Sequence, residues 1–195
     1  MTEKERMLAG RPYDSRDPEL LGRYHEVRKL LRQYNQAPST DRKQKRTILA
    51  SLFGHIGQDI WIESPFFCDY GEQISFGNNV FVNYNCVFLD SNVITIGDNV
   101  MLGPSVHIYC ATHPLKARDR IRTTQEEEQR QTFYRTQSKP VSIGSNAWIG
   151  GGAQLMPGVE IGAGTTIGAG SVVTRSMPQN CFAAGSPCKV IRELD

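Results

Sequence analysis

Residues 141–173 read VSIGSNAWIGGGAQLMPGVEIGAGTTIGAGSVV and carry an aliphatic residue at every sixth position. A helix needs apolar residues three and four apart, and an antiparallel sheet needs a period of two. A period of six predicts one short strand and one turn in each repeat. The aliphatic positions are Ile143, Ile149, Leu155, Ile161, Ile167 and Val173, and glycine follows most of them.

The same period extends toward the N-terminus, with Phe76, Val82 and Phe88 in one run and Ile96, Leu102 and Ile108 in the next. Three such units close one coil of a three-sided prism, and successive coils stack about 4.8 Å apart. The sequence therefore predicts a mainly β protein, a parallel β-helix in which Ile143 stacks against Ile161. Phe76 and Ile96 are twenty residues apart, which predicts two inserted residues near Asp90.

Residues 1–57 have helical spacing and form a predicted N-terminal segment, followed by the β-helix over residues 58–195. Thr2 and Glu5 have the spacing of a capping box. Asp17 and Pro18 are suited to the N-cap and first position of a second helix. We expect a third helix to begin near Ser39 or Thr40 and to end at residue 54.

The composition argues against several classes of partner. The net charge is +2 and no basic stripe alternates with aromatic residues, so we expect no nucleic-acid binding. Apolar runs are too short to span a bilayer, and the charged start MTEKERMLAG lacks a signal-peptide core, so we expect a cytoplasmic protein. The five cysteines lack Cys-x-x-Cys spacing, which favours buried thiols over disulfides or zinc.

The repeat stops at His113, a charged loop follows over residues 114–140, and the repeat resumes at Val141. A long excursion from a compact repeat is typical of a functional segment. Pro114 restricts the backbone of His113, and a histidine at the base of such a loop is suited to act as a general base. The alternative interpretation of His113 is a histidine that only caps a strand. The alternative interpretation of the loop is a solvated flap.

Motifs along nearly the whole chain resemble those of the maltose and galactoside O-acetyltransferases, a group of hexapeptide-repeat acyltransferases. They are MLAG, YDSRDPEL, PFFCDYG, NYNCVFLD, ITIGDNVMLGPSVHIYCATHPL, VSIGSNAWIGGG and IGAGSVVTRSMPQNCFAAGSPCKVIREL. The resemblance implies a left-handed parallel β-helix and a homotrimer. It also implies that acetyl-CoA lies in a cleft between two subunits, and that a sugar hydroxyl is acetylated without a metal.

The resemblance also implies roles for individual residues. It makes His113, in the Thr-His-Pro context, the catalytic base. It places Asp14, Asp69 and Asn83 on the acceptor side. It places Gly151, Ala169, Thr174, Lys189 and Arg192 on the CoA side, and Trp148 at the floor of the cleft.

Two departures from the family pattern leave the acceptor open. Ser91 stands where the galactoside enzymes have a second acidic residue after Asp90. The loop after His113 is longer than expected by about ten residues, within TTQEEEQRQTFY at 123–134. An antibiotic or an oligosaccharide therefore remains an alternative acceptor.

Other mechanisms also remain. Cys110 raises the alternative of an acetyl-enzyme intermediate, although alternation predicts that its side chain points inward. The same prism could carry a γ-carbonic-anhydrase-like metal site, which would need three histidines, or a non-catalytic trimeric scaffold.

Overall fold

A computed structural model describes residues 1–123 and 132–195 and shows three N-terminal helices, α1 (Glu3–Leu8), α2 (Pro18–Gln36) and α3 (Arg42–Leu52). Both predicted helix starts are confirmed. Thr2 and Glu5 form a reciprocal capping box, and the Asp17 side chain accepts a hydrogen bond from the Glu19 amide. The third helix begins later than predicted, because Asp41 caps it through the Gln44 amide.

The rest of the chain is a parallel β-solenoid whose strands form three sheets, called here faces 1, 2 and 3. Face 1 contains β1 (His55–Ile56), β4 (Ile74–Phe76), β7 (Ile94–Ile96), β12 (Val141–Ile143) and β15 (Glu160–Ile161). Face 2 contains β2 (Trp61–Ile62), β5 (Phe81–Val82), β8 (Met101–Leu102), β13 (Trp148–Ile149), β16 (Thr166–Ile167), β18 (Cys181–Gly185) and β19 (Cys188–Glu193). Face 3 contains β3 (Phe66–Cys68), β6 (Cys86–Leu89), β9 (His107–Tyr109), β14 (Gln154–Leu155) and β17 (Val172–Val173).

The residues at the sixth positions fill the interior of the prism. Ile143 pairs with Ile161 on face 1 and Leu155 pairs with Val173 on face 3, as the period predicts. All of these side chains are at most 2% exposed. Burial of one such aliphatic side chain contributes about 1.5–3 kcal/mol, so repeated stacking along three columns supplies the core.

The three edges of the prism differ in regularity. Edge 1–2, between faces 1 and 2, has a left-handed residue in each coil, and three of these form a side-chain ladder: Asn99 lies between Asn79 and Asn146, 3.0 Å from each. Edge 2–3 uses left-handed residues at Asn85, Ser105, Gly152 and Gly170. Edge 3–1 holds the irregularities, because the two residues inserted near Asp90 and the long loop both leave the prism there.

The loop leaves and re-enters through a short antiparallel pair, β10 (Ala111–Thr112) with β11 (Gln137–Ser138). A short helix, α4 (Ala117–Arg120), follows the exit. Face 1 continues across the gap, since β12 pairs in register with β7, Ile143 opposite Ile96. The loop therefore interrupts the chain without interrupting the stack of coils.

Helices α2 and α3 cover the first coil. Phe53, at the end of α3, contacts the rings of Phe66 and Phe76 edge-on, and the Tyr34 hydroxyl donates to the Ile62 carbonyl at 2.5 Å. Because β1 at His55 already pairs with β4, the solenoid begins slightly before the predicted boundary at 57/58. No helix in the described ranges is long and apolar enough to cross a membrane.

Candidate active site

His113 lies just after β10, at the foot of the loop, with an exposed side chain. Its Nδ1 is 2.9 Å from the carbonyl oxygen of Arg135. A carbonyl oxygen can only accept, so Nδ1 carries the proton when this bond forms. In the neutral ring, Nε2 is then the unprotonated nitrogen, and it is available to accept a proton from another molecule.

The stem of the loop holds this carbonyl in place. The Arg135 amide donates to the Arg120 carbonyl at 2.7 Å, and its guanidinium donates to the Asp119 carbonyl at 2.7 Å. The Tyr134 ring contacts the His113 ring edge-on, with 5.3 Å between centroids. Two neighbouring residues shortly before β11 therefore fix the position and tautomer of the imidazole.

Asp14 is 6% exposed and joins the N-terminal segment to the same stem. Its Oδ1 accepts from the Thr132 hydroxyl at 3.2 Å and from the Arg16 amide at 3.1 Å. The preceding residue, Tyr13, forms an antiparallel bridge with Thr136. Asp14 therefore contacts the same loop stem that holds His113.

Asp69 follows β3 at edge 3–1 and is half-buried. Burial raises the pKa of its carboxyl, while Arg28 in α2, whose Nη2 is 3.0 Å from Oδ1, opposes that effect. Arg28 also lies over the Tyr24 ring, 4.3 Å from the centroid. Burial raises the pKa of the Tyr13 phenol, and the negative charge of Asp69 raises it further.

Asp90, at the predicted insertion, is completely buried. Its Oδ1 accepts from the amides of Asp69 and Tyr70 at 2.8 and 2.9 Å, whereas Oδ2 has no hydrogen-bond partner in the described residues. Burial raises the pKa of this carboxyl to about 7. Asp90 therefore orders the backbone of Asp69 from inside the prism, and Ser91 beside it is also buried, 2% exposed.

Asn83 lies elsewhere, since it follows β5 at edge 2–3. Its Oδ1 accepts from the Tyr84 amide at 2.8 Å. Face 3 separates this edge from edge 3–1, a distance of roughly 15–20 Å at about 3.3 Å per residue. Within one subunit, Asn83 is therefore not part of the group formed by Asp14, Asp69 and His113.

Edge 2–3 also carries most of the predicted CoA-side residues. A Cβ added to Gly103 would lie 2.5 Å from the Gly151 nitrogen, and one added to Gly150 would lie 2.5 Å from the Ala169 nitrogen. In the last coil, Lys189 on β19 pairs with Ala184 on β18. Successive coils thus place Gly151, Ala169 and Lys189 in one line along this edge.

The last two CoA-side residues lie apart from that line. Arg192, on β19, is exposed and its guanidinium carbon is 6.0 Å from the Phe182 ring centroid, near the same end of the prism. Thr174 follows β17 at edge 3–1, on the same edge as His113 but in a later coil.

Cys110 is completely buried, as alternation predicts. Burial raises the pKa of its thiol to about 12. At neutral pH the side chain is therefore a thiol inside the core and does not reach the surface where His113 lies.

The sequence did not identify three residues of this region. Tyr134 and Arg135 lie in a loop without periodicity, and Arg135 acts through its backbone carbonyl, which no side-chain pattern reveals. Arg28 could have been suspected from its place four residues after Tyr24 on α2. Among the described residues, no group of three histidine, cysteine or carboxylate side chains could hold a metal. The acidic residues 126–128 and Arg130 of the predicted loop lie outside the described residues.

Two sequence families match the chain: the maltose acetyltransferase hexapeptide capping motif at residues 6–57 and the bacterial transferase hexapeptide (six repeats) at residues 140–175. Nodulation protein L of Rhizobium meliloti (strain 1021) is 41% identical over 97% of this chain and 97% of its own length.

Solved structures agree in fold over the whole chain. A maltose O-acetyltransferase from Clostridium difficile 630 is 43% identical, with a TM-score of 0.92, covering 100% of this chain and 98% of the other. A galactoside acetyltransferase in complex with coenzyme A is 32% identical, with a TM-score of 0.90, covering 100% and 92%.

Proposed function

Since the chain belongs to the hexapeptide-repeat acetyltransferases of the maltose and galactoside acetyltransferase type, we propose that it transfers acetyl from acetyl-CoA directly to a sugar hydroxyl with His113 as general base. The observation that carries this proposal is the contact between His113 Nδ1 and the Arg135 carbonyl. It leaves the lone pair of Nε2 free on the exposed side of the ring.

The chemistry needs one proton acceptor. Nε2 of His113 takes the proton from the acceptor hydroxyl as its oxygen forms a bond to the thioester carbonyl carbon. The tetrahedral intermediate then expels the CoA sulfur, and the imidazolium returns its proton to that sulfur. The products are an acetyl ester and CoA with a free thiol, and the enzyme is unchanged.

An amide must stabilise the oxyanion of that intermediate. Gly151 suits this role, because its N–H donates to no acceptor in the described part of the chain and the residue has no side chain of its own. The neighbouring turn is tight, since a Cβ at Gly151 would lie 3.1 Å from the Pro104 carbonyl oxygen.

Direct transfer is favoured over an acetyl-enzyme. A covalent route would need a thiolate or an activated hydroxyl that reaches the substrate. Cys110, the cysteine nearest to His113 in sequence, is buried and has a raised pKa, so it meets neither requirement.

The acceptor-side residues form two half-sites in one subunit. Asp14 and Asp69 lie with His113 at edge 3–1, and their carboxylates are suited to accept hydrogen bonds from sugar hydroxyls. Asn83 lies at edge 2–3. We therefore assign Asn83 of one subunit to the acceptor site completed by His113 of its neighbour.

The CoA-side residues follow the same division. The line of Gly151, Ala169 and Lys189 leaves backbone open for the pantetheine arm, and Lys189 and Arg192 supply cations for its phosphates. Gly151, Ala169 and Lys189 lie at edge 2–3 and Arg192 lies on β19 of face 2, while Thr174 lies at edge 3–1. A cleft between edge 2–3 of one subunit and edge 3–1 of the next brings both sets together.

A head-to-tail contact between two different edges gives a ring when its rotation closes, and a three-fold rotation gives the homotrimer that the family resemblance implies. The outward side chains support this arrangement. On face 1 they are polar, whereas faces 2 and 3 also carry large apolar side chains, such as Trp148 and Phe67, that a partner could cover. Face 1 presents His55, Ser75, Thr95, Ser142 and Glu160; face 2 presents Trp61, Phe81, Met101, Trp148, Thr166 and Phe182; face 3 presents Phe67, Val87, His107, Gln154 and Val172.

The experiment that tests the function measures CoA thiol release with acetyl-CoA and a panel of acceptors. The panel contains maltose, glucose, a galactoside, a chitin-type oligosaccharide and an aminoglycoside. We expect release above background hydrolysis with at least one sugar, and an O-acetyl ester that mild base removes. Release only with an amine, giving a base-stable amide, would contradict O-acetylation.

A further inference from the structure

A cavity of about 460 Å³ lies between α3 and the first coil, at edge 1–2. This edge carries none of the residues assigned above to acetyl transfer. The volume falls within the range of small-molecule sites, about 300–1,000 Å³. The wall residues come mainly from α3 and from the segment 56–63 that contains β2, with Tyr34 and Ser39 completing the lining.

One wall is a single stripe of α3. Arg42, Lys45, Arg46, Leu49 and Ala50 are spaced by three and four residues, so they share one face of the helix. The stripe is cationic near the N-terminus of the helix and apolar near its C-terminus. The positive end of the helix dipole lies at the cationic end as well.

The opposite wall is apolar with one aromatic ring. Ile56 and Ile60 face the cavity, and Trp61 is 42% exposed. The Trp61 indole N–H donates to Glu63 Oε1 at 2.8 Å, which fixes the ring. The Arg42 guanidinium lies over that ring, 4.6 Å from its centroid.

The charges in the cavity do not balance. Three cations line it against two carboxylates, Asp59 and Glu63. Lys45 is engaged, because Nζ donates to Ser64 Oγ at 2.9 Å and lies over the Tyr34 ring. Arg46 forms no ion pair with any side chain in the described ranges. The cationic end of the cavity therefore carries a net positive charge.

We infer that this cavity binds a small organic anion with an apolar body. Its acidic group lies against Arg42 and Arg46, where guanidinium groups can hold a carboxylate or phosphate by paired hydrogen bonds. Its apolar body lies between Leu49 and the Ile56–Ile60 wall, beside the Trp61 ring. The site is separate from the acetyl-transfer cleft, so the inference stands or falls independently of the proposed function.

The test uses 2-naphthoate as the probe and the protein labelled with 5-fluorotryptophan, whose ¹⁹F signals report on Trp61 and Trp148. The Trp148→Phe variant identifies the Trp61 signal. We expect a saturable shift of that signal with 2-naphthoate and no movement of the Trp148 signal. A shift of equal size and affinity with the cation 2-naphthylmethylammonium would overturn the inference, and so would no saturable shift up to 10 mM naphthoate.

Matched variants separate charge from packing. Replacing both Arg42 and Arg46 by glutamine should weaken naphthoate binding about tenfold, as loss of charge-assisted hydrogen bonds predicts. The control double variant Lys29→Gln/Lys43→Gln removes two helix cations outside the cavity and should bind as the parent does. Equal affinity of the two double variants would refute the anionic contact.

A third variant, Ala50→Trp, should block the cavity and abolish the Trp61 shift while CoA binding, measured calorimetrically, shows that the protein is folded. Unchanged naphthoate affinity in a folded Ala50→Trp protein would show that the probe binds elsewhere, which also overturns the inference.

Discussion

His113 and Arg135 are joined by a hydrogen bond of 2.9 Å from the imidazole Nδ1 to the main-chain carbonyl, just beyond the strands β10 and β11 through which the loop leaves and re-enters the prism. The loop that interrupts the repeat therefore orients the proposed base. Removing the side chain of His113 tests the base, and removing groups around it tests the surrounding cleft.

We expect His113→Ala to lower kcat by ~10²–10⁴, the usual contribution of a general base, with CoA affinity retained. Steady-state thiol release and calorimetric CoA titration measure the two quantities. His25→Ala, a change on α2 away from the loop, serves as the control and should leave kcat unchanged. Turnover of His113→Ala at the rate of the parent would rule out the base assignment.

Arg192→Ala should raise KM for acetyl-CoA by about tenfold and KM for the sugar far less, because the guanidinium is assigned to a CoA phosphate. Separate titrations of the two substrates measure this. Arg32→Ala, which removes an exposed arginine of α2, is the matched control. An equal rise in both KM values would argue against a phosphate contact.

Cys110→Ala should retain kcat within a few-fold, because direct transfer does not use the thiol. It should lower the free energy of unfolding by about 1 kcal/mol, since a small buried group is lost from the core. Mass spectrometry after mixing with acetyl-CoA alone checks for an acetyl-enzyme. Loss of turnover in a folded variant, or an adduct at this residue, would favour the covalent route.

The raised pKa of Asp90 predicts that the stability of the protein depends on pH. Its pKa in the folded protein is about 7, above the value of about 4 in an unfolded chain, so the folded state binds the extra proton between these pH values. This contribution is complete below pH 4 and is lost as the pH rises through 7. The parent should therefore lose stability over this range, on the order of 2–4 kcal/mol from this group.

Asp90→Asn should lack that loss, because an amide oxygen can still accept from the Asp69 and Tyr70 amides without titrating. Denaturant unfolding between pH 4 and pH 8 compares the two proteins. Asp59→Asn, at an exposed aspartate, should keep the pH profile of the parent. Parallel profiles for the parent and Asp90→Asn would show that Asp90 does not titrate in this range.

Asn99→Ala should destabilise the protein by about 1–2 kcal/mol, because alanine is strained at a φ of 56° and the ladder loses its middle amide. Asn99→Gly removes the ladder but tolerates the positive φ, so it should be less destabilising than alanine. Thermal unfolding ranks the two variants. A glycine variant as unstable as the alanine variant would assign the whole effect to the side-chain ladder.

The prism could be predicted from sequence because each coil repeats one simple rule, an aliphatic residue inward and a small or amide residue at the turn. His113 was visible for the opposite reason, as the point where that rule stops. The pairing of Asp69 with Arg28 and the role of the Arg135 carbonyl were not visible. Both depend on contacts between distant segments, and such contacts produce no periodic pattern in the sequence.

The location of Asn83 was also beyond the sequence, because a list of family positions does not state which edge of a prism each one occupies. The register of the coils supplies that information. It divides the inferred residues between two edges and so turns a single predicted site into two complementary halves.

The unbroken pairing of Ile96 with Ile143 has an evolutionary consequence. Since neighbouring coils keep their register however many residues intervene at that corner, insertions and deletions there are structurally inexpensive. Selection can lengthen, shorten or rewrite the segment beside the imidazole while the edge proposed to bind the donor stays the same. New acceptors can thus be explored by changing one segment of an otherwise fixed scaffold.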